Sequence, residues 1–343
     1  MRLPFPHLSL GLFVLLLTLI SPTVATAAVS AATVTSSGQL PGGYPTDGQI
    51  GDLILANDEI VIIISAIGHT TYSGENGGTV IDAATTAANS DALGEFYTYF
   101  DDDWPRQAAY TSLIIVDDGS GGGPAIIRAS GHDLNDGNMA VVTDYSLGEG
   151  DRHLTATTWV TSSGGAVLNF ELGDAFHWGG CSKYAPGFGF AVEGTTTQAW
   201  MAGLSANVCY AYAGIYGDNW GPNGSYWSDL SVTTEDIAAG ATVSYTRYLA
   251  VAAGDISAAV SILHEALGEV TGTVVCNVSS LADGSPLPGS PVDVYDGSGN
   301  PYYEMVTGAT GQAIGTLPTG TWRLVASASG YLSVENWVTV YEG

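Results

Sequence analysis

The chain has 343 residues, with 34 Asp and Glu against 7 Lys and Arg, and a formal charge of −27. Such a surface repels nucleic acid and anionic lipid, so functions built on phosphate backbones are excluded. Only 12% of residues are charged while 45% are hydrophobic, so the excess reflects scarce bases rather than a disordered acidic tail.

Taken in chain order, the first 27 residues read as a secretory signal. Arg2 supplies the positive charge, Leu8 to Ile20 an apolar run too short for a comfortable membrane span, and Ala25-Thr26-Ala27 a small-residue cleavage site. Cleavage there leaves Lys183 as the sole lysine and predicts a secreted, extracellular or periplasmic protein with no membrane span. What remains is long enough for two domains.

Residues 28 to about 50 are small and turn-rich. Asp52 to Ala56 and Ile60 to Ile64 flank an Asn57-Asp58 turn and predict a hairpin, its second strand apolar on both faces and therefore central. Further strands are expected at 79–82, 109–116, 125–130, 140–146, 153–161, 166–172 and 242–251, separated by glycine clusters. Spacing of this kind predicts antiparallel sheets packed as a large β-sandwich. One helix is expected: Asp255 is a good N-cap, Ile256, Val260, Leu263 and Leu267 recur at helical spacing, and Gly268 ends the run. The fold class is all-β, with a large domain over 28–267, this linking helix at its end, and a small seven-strand sandwich over 268–343.

The small domain resembles the carboxypeptidase regulatory-like (prealbumin-like) domain. Gly272 and Val274, the Pro286-Leu287-Pro288-Gly289 turn, Val292 to Tyr295, Thr310-Gly311, Leu317 to Gly320 and Gly330-Tyr331 carry the resemblance. Gly289, Gly311 and Gly320 stand where tight turns call for positive φ. The resemblance implies a non-catalytic accessory module. Residues 38–265 resemble the β-sandwich upstream of such a domain in some secreted metallohydrolases of the PHP type, carried by Leu40 to Gly43, Gly51 to Asp58, Gly77 to Asp82 and Phe170 to Asp174. Those enzymes open their catalytic domain with a His-x-His metal pair. Here the histidines are 7, 69, 132, 153, 177 and 264, none spaced by two. The resemblance therefore implies accessory sandwiches without the enzyme.

Several constellations are candidates for chemistry. Glu171, Asp174 and His177 fall within one strand, Glu171 and His177 on one face and Asp174 nearer the other. The large sandwich resembles galactose mutarotase-like folds, and an imidazole with a carboxylate suits acid/base work on a sugar; a structural turn is the competing reading. Zinc needs close ligand spacing that the histidines lack. Calcium is the cofactor the oxygen-rich loops suggest: Asp101 to Asp103, Asp117-Asp118, and above all Asp133, Asn135 and Asp136, although that loop has no Glu at the final ligand position. The same residues also build ordinary turns. Cys181 and Cys209 are the plausible disulfide, with Cys276 a buried free thiol.

Aromatics give the clearest binding signal. Trp104, Trp220 and Trp227 are the expected stacking platform for a sugar ring, with Tyr216, Asp218 and Asn219 beside them in a glycine-rich region. The leading reading is a non-catalytic accessory or cell-surface protein binding polysaccharide or surface glycan. The alternatives are a mutarotase-like or lyase-like enzyme using Glu171 and His177, and a purely structural module.

Overall fold

A computed structural model describes residues 29–192, 198–214, 219–221 and 226–343, the side chains of 219–221 excepted. The expected signal segment, residues 1–27, lies outside the described residues, as do Tyr216 and Asp218. Among the described residues no helix is long and apolar enough to cross a membrane.

Two eight-stranded sheets face each other. Across the first, the order is Ser30–Thr33, Leu53–Ala56, Ile60–Ile64, Val80–Thr85, Glu95–Phe100, Val167–His177, Trp227–Ile237 and Asn219–Gly221. The second runs Ser182–Tyr184, Met201–Leu204, Cys209–Gly214, Thr242–Ala252, His153–Ser162, Met139–Leu147, Ala125–Asp133 and Ala108–Asp117. All pairings within the two sheets are antiparallel. Strict alternation of buried and half-exposed residues along His153–Ser162 shows why these sequences form half-buried strands.

The expected hairpin is present, and Asn57 makes its turn. The Asn57 Oδ1 accepts from the amides of Glu59 and Ile60 at 2.9 and 2.8 Å, while Nδ2 donates to the carbonyls of Gly148 and Asp151 in a turn of the facing sheet, between Met139–Leu147 and His153–Ser162. Ile60, Ile62 and Ile64 fill the space between the sheets, and Ile63 packs on the other face with Ile54 and Ile81. The second strand is buried on both faces, as its composition predicts.

The middle of the sandwich is not wholly apolar. Arg247 and Asp174, both fully buried, pair through two 2.8 Å hydrogen bonds. Arg247 also donates to Thr158 and Thr98, and Tyr212 donates to Asp174. Tyr110, Thr143 and Thr158 extend the network across the second sheet. Arg247 and Asp174 are thus paired and hydrogen-bonded, which is the condition for these two charges being tolerated there.

The helix runs Ile256–Ala266, and Asp255 caps it by accepting from the Ala258 amide at 3.1 Å. Its buried face, Ile256, Ala259, Val260 and Leu263, lies on a bed of Ala202, Ala211, Ala213 and Ala250 on the outer face of the second sheet. Small side chains let the helix approach closely. The same core continues into Tyr303, Met305, Ala313 and Leu317 of the C-terminal strands.

Those strands form a pair, Thr271–Asn277 with Gln312–Pro318, and a four-stranded sheet ordered Pro301–Val306, Pro291–Tyr295, Gly320–Ala326, Val334–Val340. Six strands therefore stand among the described residues where seven were expected. The stretch around Pro286 and Pro288 contributes only an isolated bridge, Ser279 to Pro286, because proline has no amide to donate to a ladder. Gly311 adopts φ 72°, and a Cβ there would come within 2.6 Å of the Val278 carbonyl oxygen.

The Cys181–Cys209 disulfide is not formed; all three cysteines are free. Cys181 packs into the core between the two large sheets, whereas Cys209 packs into the helix-covered core on the other side of the second sheet. Burial pushes the Cys181 thiol up to about 12. Cys276 is free as expected but only half-buried, packed in the same core as Val274 and Val278.

Candidate functional site

His177 ends the strand Val167–His177, third from one edge of the first sheet. Register places Glu95 on one side of it and Trp227 on the other. Core-facing positions alternate along this strand as Phe170, Leu172 and Phe176, so Ala175 and His177 turn outward with Tyr97, Tyr99 and Trp227. The His177 ring stacks on Tyr72 with centroids 4.4 Å apart and lies 4.7 Å from Trp227 and 6.0 Å from Tyr226.

The rings of His177, Tyr72 and Tyr226 border a cleft of about 350 Å³ formed with Tyr44, Pro45, Gly179 and Gly180. Three of its tyrosines face solvent: Tyr44 is 83% exposed, Tyr226 61% and Tyr72 53%. Large aromatic side chains held open in this way, converging on one concavity, differ from scattered surface apolar residues.

Each wall has a structural cause. Glu95, fully buried, accepts from Thr71 Oγ1, from the Ser73 amide at 2.6 Å and from the Gly74 amide at 3.3 Å, so the loop that bears Tyr72 is fastened from beneath on both sides of that residue. Burial raises the Glu95 pKa against the pull of these donors. Tyr44 follows Gly42–Gly43, which pairs with Ser90–Asp91, and its amide donates to the Asp91 carbonyl at 3.2 Å. The Tyr226 carbonyl accepts from the Trp178 amide at 2.7 Å.

Gly94 backs the imidazole. A Cβ at that position would overlap His177 Nδ1, so no other residue fits there without displacing the ring. Nδ1 is buried and has no hydrogen-bond partner among the described residues. Burial lowers the His177 pKa, keeping the ring neutral near neutrality. Burial also raises the Tyr72 pKa, helped by the charges of Asp47 and Glu95.

The remaining sequence candidates fall elsewhere. Glu171 shares a face with His177, but six residues of extended chain separate them by roughly 20 Å. Glu171 instead neighbours Asp101, whose Oδ1 accepts from the Glu171 amide, and its pKa is raised by burial and then by Asp101 and Asp102. Glu171 and His177 therefore cannot act together on one bond. Asp174 is the core partner of Arg247. Trp227 joins the His177 site, but Trp104, 59% exposed, sits in the turn after Phe100, at the far end of the strand that begins with Glu95. The backbone of Asn219 and Trp220 pairs with Ser231 and Leu230 at the sheet's outer edge. Trp104 thus stands apart from Trp227, the Trp220 side chain lies outside the described residues, and Tyr44 and Tyr72 join His177 instead.

Asp133 does not open a calcium loop. Its carboxylate is held by Arg106 Nε and Nη2, both at 2.8 Å, and accepts from the Asn135 amide, while Asp136 accepts from the Asn138 amide. These are turn contacts closed by an arginine. Asp117 and Asp118 likewise accept from the amides of Gly119 and Ser120. No group of three or more His, Cys, Asp or Glu side chains is arranged to hold a metal among the described residues.

Sequence reasoning placed Trp227 in its aromatic platform but missed Tyr44, Tyr72, Gly94 and Glu95. The available signal was a tyrosine in each of two turn-rich stretches, Gly42-Gly43-Tyr44-Pro45 and Thr71-Tyr72-Ser73-Gly74. Single aromatics in loops far apart in sequence gave no reason to bring them together.

Neither a protein-family model nor a curated protein matches the chain. Among solved structures it is similar to a TPR-domain-containing protein from Parabacteroides distasonis (11% identity, TM-score 0.41, 66% of this chain and 53% of that one). It is also similar to a GH36 α-galactosidase from Geobacillus stearothermophilus (9%, 0.42, 68% and 43%) and to a polysaccharide lyase (11%, 0.31, 93% and 47%). The chain spans about half the length of these structures or less. At TM-scores this low, none of the likenesses carries an argument about activity.

Proposed function

We propose that this is a secreted, non-catalytic accessory protein that binds carbohydrate in the His177 cleft. The observation that carries the reading is the convergence of Tyr44, Tyr72 and Tyr226, all solvent-facing, on one concavity with a neutral imidazole at its edge. Flat aromatic faces suit the apolar faces of sugar rings, and tyrosine hydroxyls and an imidazole N–H suit sugar hydroxyls. The absence of turnover in this proposal is supported by the carboxylates nearby. Glu95 is committed to the Tyr72 loop, no carboxylate among the described residues orients His177 Nδ1, and Glu171 is out of reach. The C-terminal strands, which share a core with the helix, are proposed to be the prealbumin-like accessory module that the sequence resembles.

A glycan and polysaccharide screen on residues 28–343 tests this. Specific, saturable binding that is lost in Tyr72→Ala with the fold intact is the expected result. Sugar turnover that disappears in His177→Ala would replace the proposal with an enzyme. The lack of any binding would leave a structural module.

A further inference from the structure

Resting on the carbohydrate reading, we infer that the cleft selects uncharged sugars and turns away glycans bearing carboxylate, sulfate or phosphate groups. The lining residues carry no formal charge at neutral pH. The charges that act on its Tyr72 are negative, those of Asp47 and Glu95. Asp47 stands three residues after Tyr44, with Oδ2 buried and unpartnered, and Glu95 lies directly under the Tyr72 loop. Neither is neutralised by an arginine or lysine. The one lysine, Lys183, donates to the Trp227 carbonyl at 3.0 Å and does not line the cleft.

The imidazole cannot supply the missing positive charge. With Nδ1 shut against Gly94 and no acceptor within reach among the described residues, a second proton would place an unpaired N–H in a buried site. His177 therefore keeps its lone pair at Nδ1 and offers one neutral N–H, from Nε2. The tyrosine faces present the negative side of their ring quadrupoles. A hydroxylated ring with an apolar face meets matching groups here. An anionic ring meets two carboxylates through a partly desolvated path, where effective screening is weaker than in bulk water.

The test compares a neutral oligosaccharide with its uronic-acid counterpart of the same linkage, each at low and high salt, by titration calorimetry. The expected result is binding of the uronate roughly tenfold weaker at low salt, a difference of about 1.4 kcal/mol, with the gap narrowing at high salt. Asp47→Asn should reduce the discrimination while leaving neutral-sugar affinity in place. Uronate affinity equal to or above that of the neutral sugar at low salt would overturn the selectivity and leave the carbohydrate reading standing, as would preference for an ammonium-bearing sugar. Silence from every glycan would sink the carbohydrate reading and this inference with it.

Discussion

His177 and Asp174 lie three residues apart and do opposite things. His177 ends a strand on its outer face, where Gly94 leaves room for the ring and Tyr72 covers it. Asp174 points into the sandwich and binds Arg247, which is 73 residues further along the chain. The alternation of faces was legible in the sequence, including the assignment of Asp174 to the face away from His177. Its partner was not, because nothing local marks which strand will supply a buried cation. Breaking such a pair by removing one charge leaves the other buried and unpaired, at a cost of about 3–5 kcal/mol. Arg247→Met alone should therefore lower the unfolding free energy by about that much in denaturant titration. The double change with Asp174→Leu should recover a substantial part of the loss. A single variant as stable as the wild type would show that the network contributes little.

At the scale of elements, the helix and the alternating strands were legible because each has a period, whereas Glu95–Phe100, buried throughout, was not among the expected strands. The alternation in 140–146 and 153–161 and the helical spacing after Asp255 appear where expected. The cleft was not legible, because it is assembled from loops whose positions depend on buried anchors. Glu95 looks like one more acid in an acidic chain, yet it holds Thr71, Ser73 and Gly74. Glu95→Gln keeps the shape but turns a donor toward one of these donors. We expect faster amide hydrogen exchange confined to about residues 70–76 and weaker glycan binding, with little change in the exchange of the strand 95–100. Unchanged exchange in the loop would remove Glu95 from its anchoring role.

Across the whole molecule, the scarcity of bases leaves several acids buried without a cation. Asp82, fully buried, has its pKa raised to about 6, chiefly by burial and then by Asp47 and Asp52, against the amides of Asp47 and Gly48 that donate to it. An unfolded aspartate titrates near 3.8. Between that value and about 6 the folded protein holds a proton that the unfolded chain has released. Asp82 is therefore neutral and causes no loss at low pH, and it reduces stability as pH rises through the window. Burial acts the other way on His264, whose pKa falls to about 4, so that residue reduces stability as pH falls. The two arms overlap, and the contribution of Asp82 is best isolated by difference. The stability of Asp82→Asn relative to wild type should improve by on the order of 2–3 kcal/mol between about pH 4 and pH 7. A pH-independent difference would mean that Asp82 is not held in this way.

The measurement that tests the account most directly is calorimetric titration of wild type, Tyr72→Ala and His177→Ala with the best neutral glycan from the screen, alongside thermal unfolding of each. Tyr72 is half exposed, so its loss should scarcely move the unfolding midpoint. The account predicts saturable binding by the wild type, a loss of tenfold or more in both variants (about 1.4 kcal/mol or more), and no turnover of the glycan by any of the three. Wild-type affinity retained in both variants would place the binding surface elsewhere and contradict the assignment of this cleft.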